Sequence, residues 1–299
     1  MSATETPPMT RALALTGHRG AVNVGRFNGS GQYCLTGGQD RTIRLWNTTT
    51  GQAVADFEGH GWDVLDLDVS PDNAHIASVG GDRAVFVWDV GTGKLLRKLP
   101  GHTQRVNAVN FNALSSVIAS GSFDKSVRLW DNRSSSRRPI QILDEAGDSV
   151  TSLASFGSEL LVGSTDGFTR VYDVRRGQMT ADFVGSPVTS VGYTQDGQCL
   201  LVSSLDSTVR LLDKAAGTLL NHYEGHRNGE YRLRSCLSRL DSLVISGSED
   251  GRLWCWDLME ATCAREWQAH PRVVTCVAYH PTEPALLSTS ADGTVYVWR

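Results

Sequence analysis

The sequence contains no apolar run approaching the roughly 20 residues that a membrane-spanning helix needs, and no stretch sustains a 3.6-residue apolar period. These absences exclude a helical membrane protein and argue against an all-α or α/β architecture. Basic charge is not in excess: 28 Lys and Arg stand against 32 Asp and Glu, for a net charge of −4. A broad basic footprint for nucleic acid or an anionic membrane is therefore lacking. Cysteine is sparse, and none of the six residues Cys34, Cys199, Cys236, Cys255, Cys263 and Cys276 forms a C-x-x-C pair. They read as free thiols of a reducing compartment, cytosol or nucleus. His75, His222 and His280 have no ligand-spaced partners, so neither a metal nor any other cofactor is expected. Phosphate-loop, nucleophile-elbow and H-E-x-x-H patterns are missing as well. The start, MSATETPPMT, lacks the basic and apolar segments of a secretory signal and reads as a disordered leader over residues 1–10.

What is present is a repeat. Asp40, Asp82, Asp124, Asp166, Asp206, Asp250 and Asp292 follow one another at intervals of 42, 42, 42, 40, 44 and 42 residues. Six places after each stands Trp46, Trp88, Trp130, Tyr172, Leu212, Trp256 or Trp298. Each of the seven units reads as four short strands; in the third they are VNAVNF, VIASGS, SVRLWD and IQILD, separated by turn-formers. The Gly-His before the first strand and the Trp-Asp closing the third resemble the WD-repeat family. That resemblance implies an all-β, seven-bladed β-propeller of four-stranded blades over residues 11–299. The last unit ends on its third strand, VYVWR, whereas RALALTGH near the start matches the strand-plus-Gly-His phrases LLRKLPGH and LLNHYEGH. An N-terminal strand containing Leu13 and Leu15 is therefore expected to complete the last blade, because a closed ring leaves no open sheet edge.

A polar set recurs with the repeat. His18, Thr36, Asp40 and Trp46 return as His60, Ser78, Asp82 and Trp88, and as His102, Ser120, Asp124 and Trp130. They return again as His226, Ser246, Asp250 and Trp256, and as His270, Ser288, Asp292 and Trp298. Hydroxyl, imidazole and carboxylate together are the ingredients of nucleophilic catalysis. Five copies at a fixed spacing point instead to a structural tetrad, in which Asp holds His, His holds the hydroxyl, and the hydroxyl takes the indole N–H. No catalytic residue is assigned. Units four and five lose His, hydroxyl and Trp together. Val162 and Tyr172, then Val202 and Leu212, replace them, with Asp166 and Asp206 expected to remain as turn-formers in blades held by apolar packing.

With catalysis set aside, loops on a rigid sheet scaffold are where function is expected. The family resemblance implies that partners bind on the narrow face around the central channel. The positions exposed there would include Trp62, Asp63, Leu65, Arg105, Asn107, Phe123, Leu205 and Glu249. Tyr231, Arg232 and Arg234 join them only approximately, because unit six carries the extra residues RNGEYRLR. Aromatic and Arg anchors within a polar rim suit a protein or peptide partner. The basic loop NRSSSRRP, residues 132–139, reads as a solvated connection, with a docking or phosphorylation role as the sharper alternative.

The irregular units narrow the resemblance. GSPVTSVGYTQDGQCLLVSSLDSTVRLLDK, ILDEAGDSV, GHGWDVLDLDVS and AYHPTEPALL resemble a group of small seven-bladed WD-repeat scaffolds that organise mitogen-activated protein kinase cascades. The resemblance implies a non-enzymatic, monomeric protein-interaction scaffold in cytoplasm and nucleus. It also implies association with the spliceosome in pre-mRNA splicing. An RNA-contacting subunit of a ribonucleoprotein complex is the alternative reading, against which the acidic net charge argues.

Overall fold

The computed structural model describes residues 5–299. Among them are 28 strands and no helix, arranged as seven four-stranded antiparallel sheets. In the first six blades the four strands follow chain order from the channel outward: residues 22–58, 64–100, 106–143, 150–183, 188–223 and 235–268. The seventh combines Val274–Tyr279, Leu286–Ser290 and Val295–Trp298 with the strand Arg11–Leu15 on its outside. Leu13 pairs with Val297 and Leu15 with Val295, closing the ring as the sequence predicts. Leu15 is fully buried, and at the other end of the strand Thr10 and Arg299 exchange both backbone hydrogen bonds. Of the leader expected over residues 1–10, residues 1–4 lie outside the described residues. Residues 5–10 run along the body: Glu5 accepts from Ser242 Oγ at 2.8 Å and Pro8 is buried.

The core lies between blades. Leu35, Ile43 and Phe57 of blade one pack on Val64, Leu67 and Ile76 of blade two. The same pattern joins blades three and four, with Leu129, Val150, Leu153 and Leu160. Glycine on a second strand makes room for this contact. A Cβ on Gly37 or Gly163 would stand 2.7 Å from Val64 or Val188 of the next blade's inner strand, closer than packed carbons approach. Six of the seven inner strands carry a register shift one residue after their first Val, as between Val64 and Asp66 or Val106 and Ala108. Such a bulge increases local twist and re-aims side chains near the channel. Blade six differs: its inner strand is only Ser235–Leu237, and residues 229–234 reach it as an irregular loop.

Candidate interaction face

The recurring tetrad is assembled in blades one to three. In blade two, His60 Nδ1 lies 2.7 Å from Asp82 Oδ2, His60 Nε2 lies 2.7 Å from Ser78 Oγ, and Trp88 Nε1 donates to Ser78 Oγ at 2.7 Å. The matching distances are 2.9, 2.7 and 2.8 Å for His18, Thr36, Asp40 and Trp46. They are 2.9, 2.8 and 2.8 Å for His102, Ser120, Asp124 and Trp130. Because an ionised carboxylate only accepts, Nδ1 carries the imidazole proton and Nε2 accepts from the hydroxyl. Burial alone would raise the Asp82 and Asp124 carboxyls. Hydrogen bonds from His60 and the Gly61 N–H, or from His102, Ser126 and the Thr103 N–H, outweigh it and hold both below the usual range. Ser78 and Ser120 are wholly buried, so no substrate reaches their oxygens. The tetrad ties the loop carrying His to the turn carrying Asp.

Blade seven inserts one residue into the relay. His270 Nδ1 meets Thr294 Oγ1 at 2.7 Å, and that hydroxyl donates onward to Asp292, which stands 3.6 Å from the ring. Ser288 still joins His270 Nε2 at 2.7 Å and Trp298 Nε1 at 2.8 Å.

Blade six corrects the sequence reading: its tetrad is not formed. Trp256 Nε1 donates to the Glu224 carbonyl at 3.1 Å, and Ser246 turns to the Gly247 carbonyl at 3.0 Å. His226 is buried with neither ring nitrogen hydrogen-bonded, and Asp250 caps the Arg252 N–H of its own turn and stands 3.9 Å from that residue's guanidinium. With the indole committed to Glu224 and stacked against Trp254 at 5.8 Å, the hydroxyl loses the donor that would aim it at His226. Burial pushes the His226 imidazole down to about 4.

Blades four and five hold a substitute that sequence reasoning missed. Arg170 donates to Asp166 Oδ2 at 2.7 Å and Ser164 Oγ at 2.8 Å. Arg210 repeats this with Asp206 Oδ2 at 2.5 Å and Ser204 Oγ at 2.6 Å. The two aspartates are therefore ion-pair partners as well as turn-formers. Burial raises the Asp166 carboxyl, but Arg170 and Ser164 outweigh it and bring it down to about 2. The signal was an Arg two residues before Tyr172 and Leu212; Arg44 and Arg128 hold that position in blades one and three, where His already occupies the turn aspartate.

The turns and loops so fixed build the narrow face. Trp62 is 64% exposed and Phe123 40%, with the Arg105 guanidinium 4.8 Å above the Phe123 ring. This Arg–Phe ridge separates two clefts. One, of about 470 Å³, is lined by Trp62, Gly81, Arg83, Gln104, Arg105 and Phe123. The other, of about 350 Å³, runs from the ridge to Pro187, Leu205, Glu230 and Arg232. Asp63 is half-buried beside Trp62, and Tyr231 projects from the long loop of unit six.

Four of the residues expected to be exposed are not free. Asn107 is buried, donating to the Val150 carbonyl at 2.8 Å, and Leu65 is half-buried. Arg232 turns into the channel and spans it, donating to the carbonyls of Leu65 at 2.9 Å, Asn107 at 2.6 Å and Thr151 at 3.1 Å. Arg234 is buried against Asp66 at 2.6 Å, and Asp66 also accepts from the Val109 N–H at 3.0 Å. Burial and the neighbouring Arg234 lower the Arg232 guanidinium to about 10, so it stays charged at neutral pH. Glu249 shapes the loop that delivers these arginines, taking the N–H groups of Gly229, Glu230 and Tyr231 at 2.8, 2.7 and 3.1 Å. Burial opposes that carboxylate, yet the three N–H donors hold it below its ordinary range. The inward turn of Arg234 follows from electrostatics. Asp66 stands buried on the inner strand of blade two, and a buried carboxylate requires a paired cation.

The model of WD domain, G-beta repeat matches residues 9–47, 217–257 and 261–299, and that of Nucleolar protein 10-like, N-terminal domain matches residues 62–231. The chain is 56% identical over 292 residues to WD repeat domain-containing protein 83 of Rattus norvegicus, covering 98% of this chain and 92% of that protein. The Homo sapiens protein of that name gives 56% over the same span and coverage. The Dictyostelium discoideum homologue is 33% identical over 312 residues, covering 95% of this chain and 96% of its own.

Proposed function

Because the chain belongs to the WD-repeat family, alongside the proteins called WD repeat domain-containing protein 83, we propose that it is a non-enzymatic scaffold assembling components of a kinase cascade or of the spliceosome. WD-repeat propellers are in general protein-interaction scaffolds without a catalytic centre. The observation that supports a docking role is the ridge of Arg105 and Phe123 with Trp62 beside it, apolar surface beside a channel that Arg232 spans. Exposed aromatic and Arg side chains flanked by clefts have the character of interface hot spots. With Arg232 across the channel, the clefts are the surface open to a partner. On this reading the partner lays a peptide segment across the ridge, and the protein works in both cytoplasm and nucleus.

The test is quantitative affinity purification from cytosolic and nuclear extracts, comparing the wild type with a Phe123→Ala, Arg105→Ala double variant. Kinase-cascade or splicing components should be recovered by the wild type and depleted by about tenfold or more, ~1.4 kcal/mol, with the variant. Equal recovery by both proteins counts against the ridge, and absence of both classes of component counts against the scaffold role.

A further inference from the structure

The opposite, wide face carries a second feature that the narrow-face reading does not use. Between blades three and four lies a groove of about 260 Å³. Its floor is aliphatic, with Val117 and Leu129 facing Leu160 and Val174, and Leu114 stands 64% exposed at its lip. Glu159 lines the groove, but cationic side chains predominate around its mouth. The loop at 132–139 carries Arg133, Arg137 and Arg138, the equivalent turn of blade four carries Arg175 and Arg176, and all five are exposed. Arg175 lines the groove, while Arg133 Nη2 reaches the Leu114 carbonyl at 3.5 Å, which sets both guanidiniums at the mouth.

The nearby carboxylates are already engaged. Asp131 caps the N–H groups of Arg133 and Ser134, Glu159 pairs with Lys214 at 2.9 Å, and Asp173 caps its own turn and stands 3.7 Å from Arg176. Arg133 and Arg175 make no ion pair among the described residues. The basic loop is solvated at residues 133 and 135–138, as the sequence suggests, but it is anchored at its start. Arg97 donates to the Asn132 carbonyl at 2.6 Å, to its Oδ1 at 2.7 Å, and to the carbonyls of Asp131 and Ser134. Asn132 in turn donates to the Ser115 carbonyl at 2.9 Å. Arg133 therefore sits on a segment fixed in advance, which lowers the entropy cost of binding.

We propose that this groove docks an acidic peptide segment. An aliphatic side chain of the peptide enters between blades three and four, and its flanking carboxylates meet Arg133 and Arg175. An unpaired cationic rim within a chain of net charge −4 is complementary to an acidic partner. Nucleic acid suits the site less well, because no aromatic side chain lines it for base stacking.

The experiment is a fluorescence anisotropy titration of the whole propeller into a labelled short peptide with two Leu flanked on both sides by Asp and Glu. A parallel titration uses labelled oligouridine. The wild type should bind the peptide. Arg133→Glu with Arg175→Glu should weaken binding by about tenfold or more, as should Leu114→Asp or replacing the peptide's Leu pair with Ser. All these positions are exposed, so melting temperatures should stay near wild type, and Phe123→Ala should leave peptide affinity unchanged. The proposal is overturned by absence of peptide binding, by equal affinity in the charge-reversed variant, or by oligouridine binding more tightly than the peptide.

Discussion

Thr36, Ser78, Ser120 and Ser288 each join a buried His to a Trp indole, so each stabilises two polar groups that would otherwise be orphaned. Ser246 occupies the same place in the repeat and bonds only its neighbour's carbonyl. Removing the two hydroxyls should therefore have unequal consequences. Ser120→Ala should cost about 2–4 kcal/mol, since two buried partners lose their bonds, whereas Ser246→Ala should cost under ~1 kcal/mol. Urea denaturation of both variants checks this, and equal losses would mean that blade six has an ordinary tetrad after all. His226 provides a second check. Its folded value of about 4 lies below its ordinary 6.5, so the unfolded chain binds more protons between those values and stability rises with pH across that window. Through this residue, stability is present above pH ~6.5 and is lost as pH falls toward ~4. His226→Leu should keep the neutral-pH melting temperature near wild type and show a shallower loss on acidification. An unchanged acid slope, or a large loss at neutral pH, would contradict the unpaired imidazole.

At the scale of strands and loops, the repeat of turn aspartates announced every blade, because a turn between second and third strands needs its carboxylate wherever it occurs. Closure by Arg11–Leu15 was legible for a similar reason: an apolar strand phrase before Gly-His stands where a blade lacked one. Leu15→Asp should place a carboxylate without a partner in the seam of blade seven, costing several kcal/mol and lowering the melting temperature by far more than Leu13→Asp, since Leu13 is only half-buried. Similar losses would show that the closing strand is not seated in this register. What the strands' own pattern could not give was the choice of partner. Arg170 and Arg210 take the turn aspartate because His has left it. Arg234 turns inward to pair with Asp66, more than 160 residues earlier on another blade, and Arg232 turns inward to the carbonyls of Leu65, Asn107 and Thr151. Such pairings depend on ring geometry, and the lengthened loop of unit six removed the spacing that placed the equivalent residues in other blades.

Across the whole molecule, the seven blades form a closed ring whose channel is crossed by Arg232, with clefts on both faces open to other molecules. Arg105, Phe123 and Leu205 line the narrow-face clefts, where the family resemblance had put their repeat positions, and Trp62 stands beside them as expected. Asn107, Leu65, Arg232 and Arg234 were assigned to the same face; Asn107 and Arg232 do line one of its clefts, but their polar groups, like that of Arg234, are committed to the interior, and Leu65 is half-buried. The division follows from chemistry: side chains able to satisfy buried carbonyls or carboxylates are drawn inward, and aromatic rings without such partners remain outside. The most direct measurement is hydrogen exchange on the propeller alone and in complex with a partner recovered by the wild type and lost by the Phe123→Ala, Arg105→Ala variant. The account predicts slowed exchange in the narrow-face segments around Trp62, Arg105, Phe123, Leu205 and Tyr231. Exchange unchanged in those segments, with protection confined to the outer strands, would contradict it.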